Sequence, residues 1–474
     1  MSAAQKWIAW TVGVIVLLVA TIAGLIAAGR SRATPWPERL SHVRLEPSRP
    51  ILRESDVTPD NAFFYLRQLT QPDDEMRKAW SEDEWARFSA CGWDGGEFPA
   101  LQASVEAFSN ALALVDQAVS LPDCQMATID DFMTPMPYVS SILRMSRLSI
   151  VMAERSAAKG RWDEAEKIYR RGLIASDYIS RGGPLIGHLV NYAGISTLCG
   201  SLRRVVLESD PPAHFLEDMI VFLDGLDRNA EPFAEAIRYE YLGFQSVLPM
   251  VFSDFGSLVS LTDGETVSRP PIHFLKWPII FLTGSSLDRM QRDSAAVYSH
   301  LVDIASTTHE DGRSIDGNLP GFGREPGLLV RIGEFTDNGL GRVLVQLLAP
   351  ALGQARSRWF LSRVDLRATR VILAVKLWKM KHGRWPESLE QLVPDFLPVV
   401  PDDPFTRAPE PLKYVREEDH FIVYSVGADG MDEGGRHQWD QERPSIMKAD
   451  ACFGSEEFEI RCRRWMTQAK QEQD

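Results

Sequence analysis

The segment Phe421–Gly435, "FIVYSVGADGMDEGG", places a serine, two aspartates and a glutamate among glycines, directly after an alternating apolar run. Three kinds of chemistry use such residues. Carboxylate and carbonyl oxygens bind hard cations. Paired carboxylates carry out acid–base work when a cleft perturbs their pKa values. Asp-Gly is also a common turn signal that needs no ligand at all. The residues alone leave these readings open.

Elsewhere the sequence offers little chemistry. There is no GxxxxGK[ST] phosphate loop, no strand-borne GxGxxG and no HExxH. His309-Glu310 stands alone, and no GxSxG nucleophile elbow is present. Ser196 and Cys199 in "GISTLCG" fall within a predicted helix, where packing is the expected role. His188 sits on a helix among apolar neighbours, which favours a structural histidine. The acidic pairs Asp130-Asp131 and Asp402-Asp403 fall in loops. The expectation is a protein that is not an enzyme. A net charge of −14 with no basic stripe argues against nucleic-acid binding.

The elements that must hold the C-terminal loop are legible. Leu361, Val364, Ala368, Val371, Val375 and Trp378 step by three and four residues and form one apolar helix face. Arg363, Arg367 and Arg370 lie off that face. The helix is predicted to end at His382-Gly383, with glycine in the C′ role. "WPESLEQLV" reads as a short second helix with Pro386 in its first turn. "PLKYV" and "FIVYSV" alternate around the polar "REEDH", which predicts an antiparallel hairpin.

This ordered set resembles the globular domain of the major pseudopilin of type II secretion systems. The resemblance covers about residues 363–440. It is carried by "HGRWPESLEQLVP", then "VPDDPFTRAPEPLKY", then "FIVYSVGADGMDEGG". In that family the last loop commonly holds a structural calcium ion. The resemblance therefore implies Asp429 and Asp432 as side-chain ligands, Ser425 and nearby carbonyls as further oxygens, and Glu433 and Asp403 as contributors. Calcium takes about 6–8 hard oxygens, and glycines let the backbone turn carbonyls inward. The chain departs from the family in two ways. No processed leader with a Phe start and an acidic fifth residue is visible, and some 330 residues stand between the expected membrane helix and the module. A pilus subunit is therefore not expected.

The rest of the 474 residues reads as mainly α. Residues 138–159 with 162–180, and 184–207 with 212–226, form helical hairpins. "KGRWDEAEKIYRRGL" (Lys159–Leu173) weakly resembles the centre of a tetratricopeptide repeat through Gly160, Trp162, Ala165, Tyr169 and Leu173. No second copy follows at a period of about 34 residues. At the N-terminus, Trp7–Gly29 carries no charge. At about 1.5 Å per residue it is long enough for a bilayer core of about 30 Å. It is expected to be a transmembrane helix; a cleaved signal peptide is the other reading, although an h-region runs only about 7–15 residues. Orientation is nearly undetermined by the flanking positive charges.

The expected organisation is an anchor over 1–30, a linker over 31–60, an irregular or repeat-like helical domain over 61–350, an α+β module over 351–445 and a tail over 446–474. The expected role is a single-pass cell-membrane protein with its bulk outside the cytoplasm, scaffolding a secretion or pilus-like system through protein partners in the envelope. A helical-repeat protein-binding adaptor whose C-terminal module is purely structural is one alternative, and an enzyme without a recognised motif is another. Five cysteines allow the pairs Cys91/Cys124 and Cys452/Cys462, or free thiols.

Overall fold

The computed structural model describes residues 20–33, 35–69, 80–93, 98–127, 136–253, 283–308, 328–417, 420–435, 451–455 and 467. The helices are α1 (Phe63–Leu66), α2 (Glu82–Cys91), α3 (Pro99–Ala107), α4 (Ser109–Val119), α5 (Pro137–Ala158), α6 (Trp162–Tyr178), α7 (Leu185–Glu208), α8 (Ala213–Arg228), α9 (Phe233–Ser253), α10 (Leu287–Ala305), α11 (Leu328–Thr336) and α12 (Gly339–His382). The strands are β1 (Lys413–Arg416), β2 (Phe421–Ser425) and β3 (Ala451–Gly454).

The expected transmembrane helix is corrected here. Among the described residues no helix is long and apolar enough to cross a membrane. Residues 7–19 of the expected span lie outside the described residues. Its described end, residues 20–30, is helical and rises only about 16 Å, roughly half of a bilayer core. That end is fastened to the body. The Arg30 guanidinium donates to the Thr336 carbonyl at 2.6 Å, and a Cβ on Gly333 would collide with the backbone of Gly29.

The predicted hairpins form as α5–α6 and α7–α8. The 101–121 helix divides into α3 and α4 at Phe108, whose φ of −94° and ψ of 14° leave the helical basin. Local capping follows the sequence. Ser81 accepts from the Glu84 amide, and Glu84 in turn accepts from the amides of Ala100 and Leu101 at the start of α3. α9 runs through Pro249 rather than stopping before it. α11 and α12 are parted at Asn338, which has a positive φ of 55°.

The residues expected as a linker lie on the body. Trp36 donates to the Asp337 carbonyl, the Leu40 amide to Ser299, and the Ser48 amide to Glu235 at 2.9 Å. Arg238 donates to the Arg44 carbonyl, and Leu45 is buried. The segment spends its backbone donors and acceptors on α9 and α10, so it is a strap.

α12 is the spine. It is continuous across residue 351, packs along α7 and α8, and reaches β2 and β3. One apolar cluster runs from Phe88, Leu198 and Phe215 through Leu366, Ile372 and Val375 to Trp385, Phe421 and Val423. The helical body and the α+β module therefore share a core. The sheet order is β1-β2-β3, all antiparallel, with Tyr414 opposite Val423 and Tyr424 opposite Cys452. The hairpin was predicted; β3, within the expected tail, was not. Four short residues without alternation carry no strand signal.

Arg363, Arg367 and Arg370 are not on an open face. Arg367 bonds Asp227 at 2.9 Å and the Asp402 carbonyl at 2.8 Å. Arg370 pairs with Asp224. The Arg363 guanidinium lies 2.8 Å from Asp227, close enough for an ion pair but not aligned as a hydrogen bond. Cys124 and Cys199 are buried free thiols, which rules out the Cys91–Cys124 bridge; Cys91 is itself disulfide-bonded. Cys462 of the second candidate pair lies outside the described residues.

Candidate functional site

The motif residues of the C-terminal module meet at the end of α12. Gly383 adopts φ 72°, which closes the helix with its amide on the Lys379 carbonyl. This turns Trp385 under the sheet, 4.7 Å from the Phe421 ring, with the Lys379 ammonium 3.8 Å from the Trp385 ring. Tyr414 on β1 donates to the Pro386 carbonyl at 3.0 Å. The expected second helix is a single 3-10 turn, Leu389–Leu392, with both leucines buried.

Asp403 is the centre of the polar half. It is 3% exposed. Its carboxylate accepts from the Phe405 amide at 2.9 Å, the Ser425 hydroxyl at 2.8 Å and the Val426 amide at 2.9 Å. Burial pushes its pKa up, against those three donors. The Ser425 hydroxyl also accepts from the Gly427 amide. Asp403 thus stitches the Asp-Pro-Phe loop to the exit of β2, while Phe405 packs 5.6 Å from Phe360 on α12.

The four expected ligands are not brought to one point. Ser425 is fully buried and turned toward Asp403. Asp429 accepts from the Met431 amide at 3.1 Å and turns the chain locally. Asp432 accepts from Tyr424 at 3.2 Å and from the Gly434 amide at 2.9 Å, and pairs with Lys413 at 3.1 Å. The Gly434 amide, first, and Lys413 hold its pKa down. Glu433 is exposed. Among the described residues no three His, Cys, Asp or Glu side chains are grouped to hold a metal ion. As arranged, Ser425, Asp429, Asp432 and Glu433 do not fit a calcium shell: one donor faces inward and one carboxylate already has an ammonium partner. The glycines serve the turn. Gly435 has φ 69° and lies so close to the Tyr424 ring that a Cβ would sit 3.0 Å from it.

No protein-family model, curated protein or solved structure matches the chain.

A second polar site was only half visible in the sequence. His188 on α7 is 1% exposed. Its Nε2 lies 3.6 Å from Glu231 and has no hydrogen-bond partner. Glu231, in the α8–α9 turn, accepts from the Gly182 amide at 3.0 Å, and Arg49 of the strap approaches it at 3.9 Å. The hydroxyls of Tyr192 and Tyr239, both buried, also lack partners. Desolvation pushes Glu231 up to about 7 and His188 down to about 3. The double glycine of Arg181–Pro184 was the available signal, since its amides must find acceptors. The distant acceptor Glu231 was not legible.

The other candidates are packed. Ser196 donates to Asp365 at 2.6 Å, and Asp365 also takes Arg203 at 3.0 Å. Burial pushes the Cys199 thiol up to about 12, which keeps it unreactive. Asp130-Asp131 and His309-Glu310 lie outside the described residues.

Proposed function

We propose that this chain is a non-enzymatic scaffold that presents a pseudopilin-like module on a rigid helical body and assembles with protein partners of a secretion or pilus-like system outside the cytoplasm. The observation that supports it is the spine: α12 belongs to both halves, and Arg367 ties α8 to the Asp-Pro-Phe loop through Asp227 and the Asp402 carbonyl. A module held this way transmits position rather than turning over a substrate. The motif residues Gly383, Trp385, Asp403 and Ser425 serve its construction. The adaptor reading is weaker because the chain's own α12 lies along α7 and α8.

The test is cross-linking of the full chain in its native cells, with phosphatase fused after Gly435. Cross-links to secretion or pilus-type components and an active fusion support the reading. An active cytoplasmic reporter with a dead phosphatase, or a chain that cross-links to nothing while consuming a metabolite, overturns it.

A further inference from the structure

Glu231 and His188 hold the same turn from two sides. The Gly182 amide donates to Glu231, and His188 has a backbone hydrogen bond with Gly183. The Arg181 carbonyl in that turn accepts from the Met126 amide, and Arg181 itself pairs with Asp177 at 2.7 Å and Asp123 at 3.0 Å. Arg49 bridges from the strap to Asp123 at 3.1 Å and to Glu231 at 3.9 Å. The charged and titratable groups that act on Glu231 are Arg49 from the strap, Asp177 from α6, Tyr192 from α7, and Glu235 and Tyr239 from α9; behind them stand Asp123, Arg181 of the turn, Arg363 from α12, and Glu240 from α9, which accepts from the Leu185 amide. A buried imidazole whose Nε2 has no hydrogen-bond partner lies 3.6 Å from a buried carboxyl, so the two groups best share a single proton. A second proton leaves a buried imidazolium beside a neutral carboxyl, and loss of the first leaves a buried carboxylate met only by the Gly182 amide and by Arg49 at 3.9 Å.

We propose that His188 and Glu231 form a one-proton latch that fastens the Arg181–Pro184 turn and the strap at Arg49 to the α8–α9 corner, and that gaining or losing a proton loosens it. The pair's two shifts oppose each other. Glu231 has a folded pKa raised from 4.5 to about 7, so its contribution is present below about 4.5 and is lost as pH rises to about 7. His188 has a folded pKa depressed from 6.5 to about 3, so its contribution is present above about 6.5 and is lost as pH falls to about 3. Between about 4.5 and 6.5 the two slopes cancel, and the folded pair keeps its single proton.

The experiment is thermal melting of the full chain from pH 4.5 to 7.5 as wild type, Glu231→Gln and His188→Gln, read as midpoint differences from wild type. The Glu231→Gln difference is expected to rise with pH and the His188→Gln difference to fall. A purely structural role would shift either midpoint by the same amount at every pH, and two level difference profiles would overturn the latch. If one variant does not fold, the slope of the other decides. Protection of the Gly182 amide in the wild type, taken relative to its intrinsic exchange rate and followed down to about pH 3, is a local check: a loss of protection near pH 3 and again above about pH 7 supports the latch, and constant protection refutes it.

Discussion

Asp403 and Asp432 are carboxylates beside the same sheet, yet their surroundings give them different weight. Asp403 is buried and satisfies two backbone amides and a hydroxyl, all of which an alanine would leave buried without acceptors. An orphaned buried donor costs about 1–3 kcal/mol, so Asp403→Ala is expected to lose about 3 kcal/mol or more in urea unfolding. Asp432 and Lys413 are 43% and 30% exposed in their side chains, and pairs of that kind contribute about 0–1 kcal/mol. Asp432→Asn is expected to fall within that range, and a larger loss than Asp403→Ala would refute the assignment. The same contrast bears on calcium. A ligand that binds only the folded chain must raise its midpoint. With Asp432 held by Lys413 and Ser425 by Asp403, melts in calcium and in chelator are expected to coincide; a calcium-dependent rise would mean that the loop rearranges to gather its oxygens. The sequence showed the turn because glycine and Asp-Gly act locally. It did not show Asp403 as the hub, because its partners are Ser425 and Val426 across a hairpin.

At the scale of elements, the ends and faces of α12 were legible and its charges were not. Gly383 terminates the helix through a local conformational preference, and the three-and-four spacing from Leu361 to Trp378 marks the buried face. Arg363, Arg367 and Arg370 look like a solvated stripe until α8 is placed against them. Their partners lie far back in the chain; Asp227 precedes Arg367 by 140 residues. Arg363 is 5% exposed and faces Asp227 without aligned hydrogen bonds. Removing one member of a buried pair strands the other charge, at about 3–5 kcal/mol, whereas replacing both with apolar residues is often neutral. Asp227→Ala is therefore expected to destabilise by about that amount. Arg363→Met combined with Asp227→Leu is expected to recover part of it, the remainder reflecting the lost Arg367 bond. Unfolding of the two single variants and the double variant measures this coupling. Additive losses would mean that Arg363 and Asp227 make independent contacts.

For the whole molecule, the boundary expected near residue 351 sets the pseudopilin-like module, with its own long helix, apart from the helical domain. Composition marks a change of secondary structure, but it does not say which core the new elements join. Here α12 crosses the boundary, and a single apolar cluster holds Leu198 and Phe215 of the hairpins together with Trp385, Leu389, Phe421 and Val423 of the module. The Arg367 bonds to Asp227 and the Asp402 carbonyl cross the same line. Two units that shared only a linker would melt separately. Units that share a desolvated core lose apolar burial on both sides when either opens, at about 25 cal/mol per Å² exposed. The full chain is therefore expected to show one calorimetric transition for the hairpins and the module, with tryptophan fluorescence and far-UV circular dichroism moving together. Truncation after Glu410 removes Phe421 and Val423 from that cluster and is expected to lower the midpoint of the helical remainder. Two resolved transitions, or a truncated chain that melts where the full chain does, would show that the module only rests on the spine.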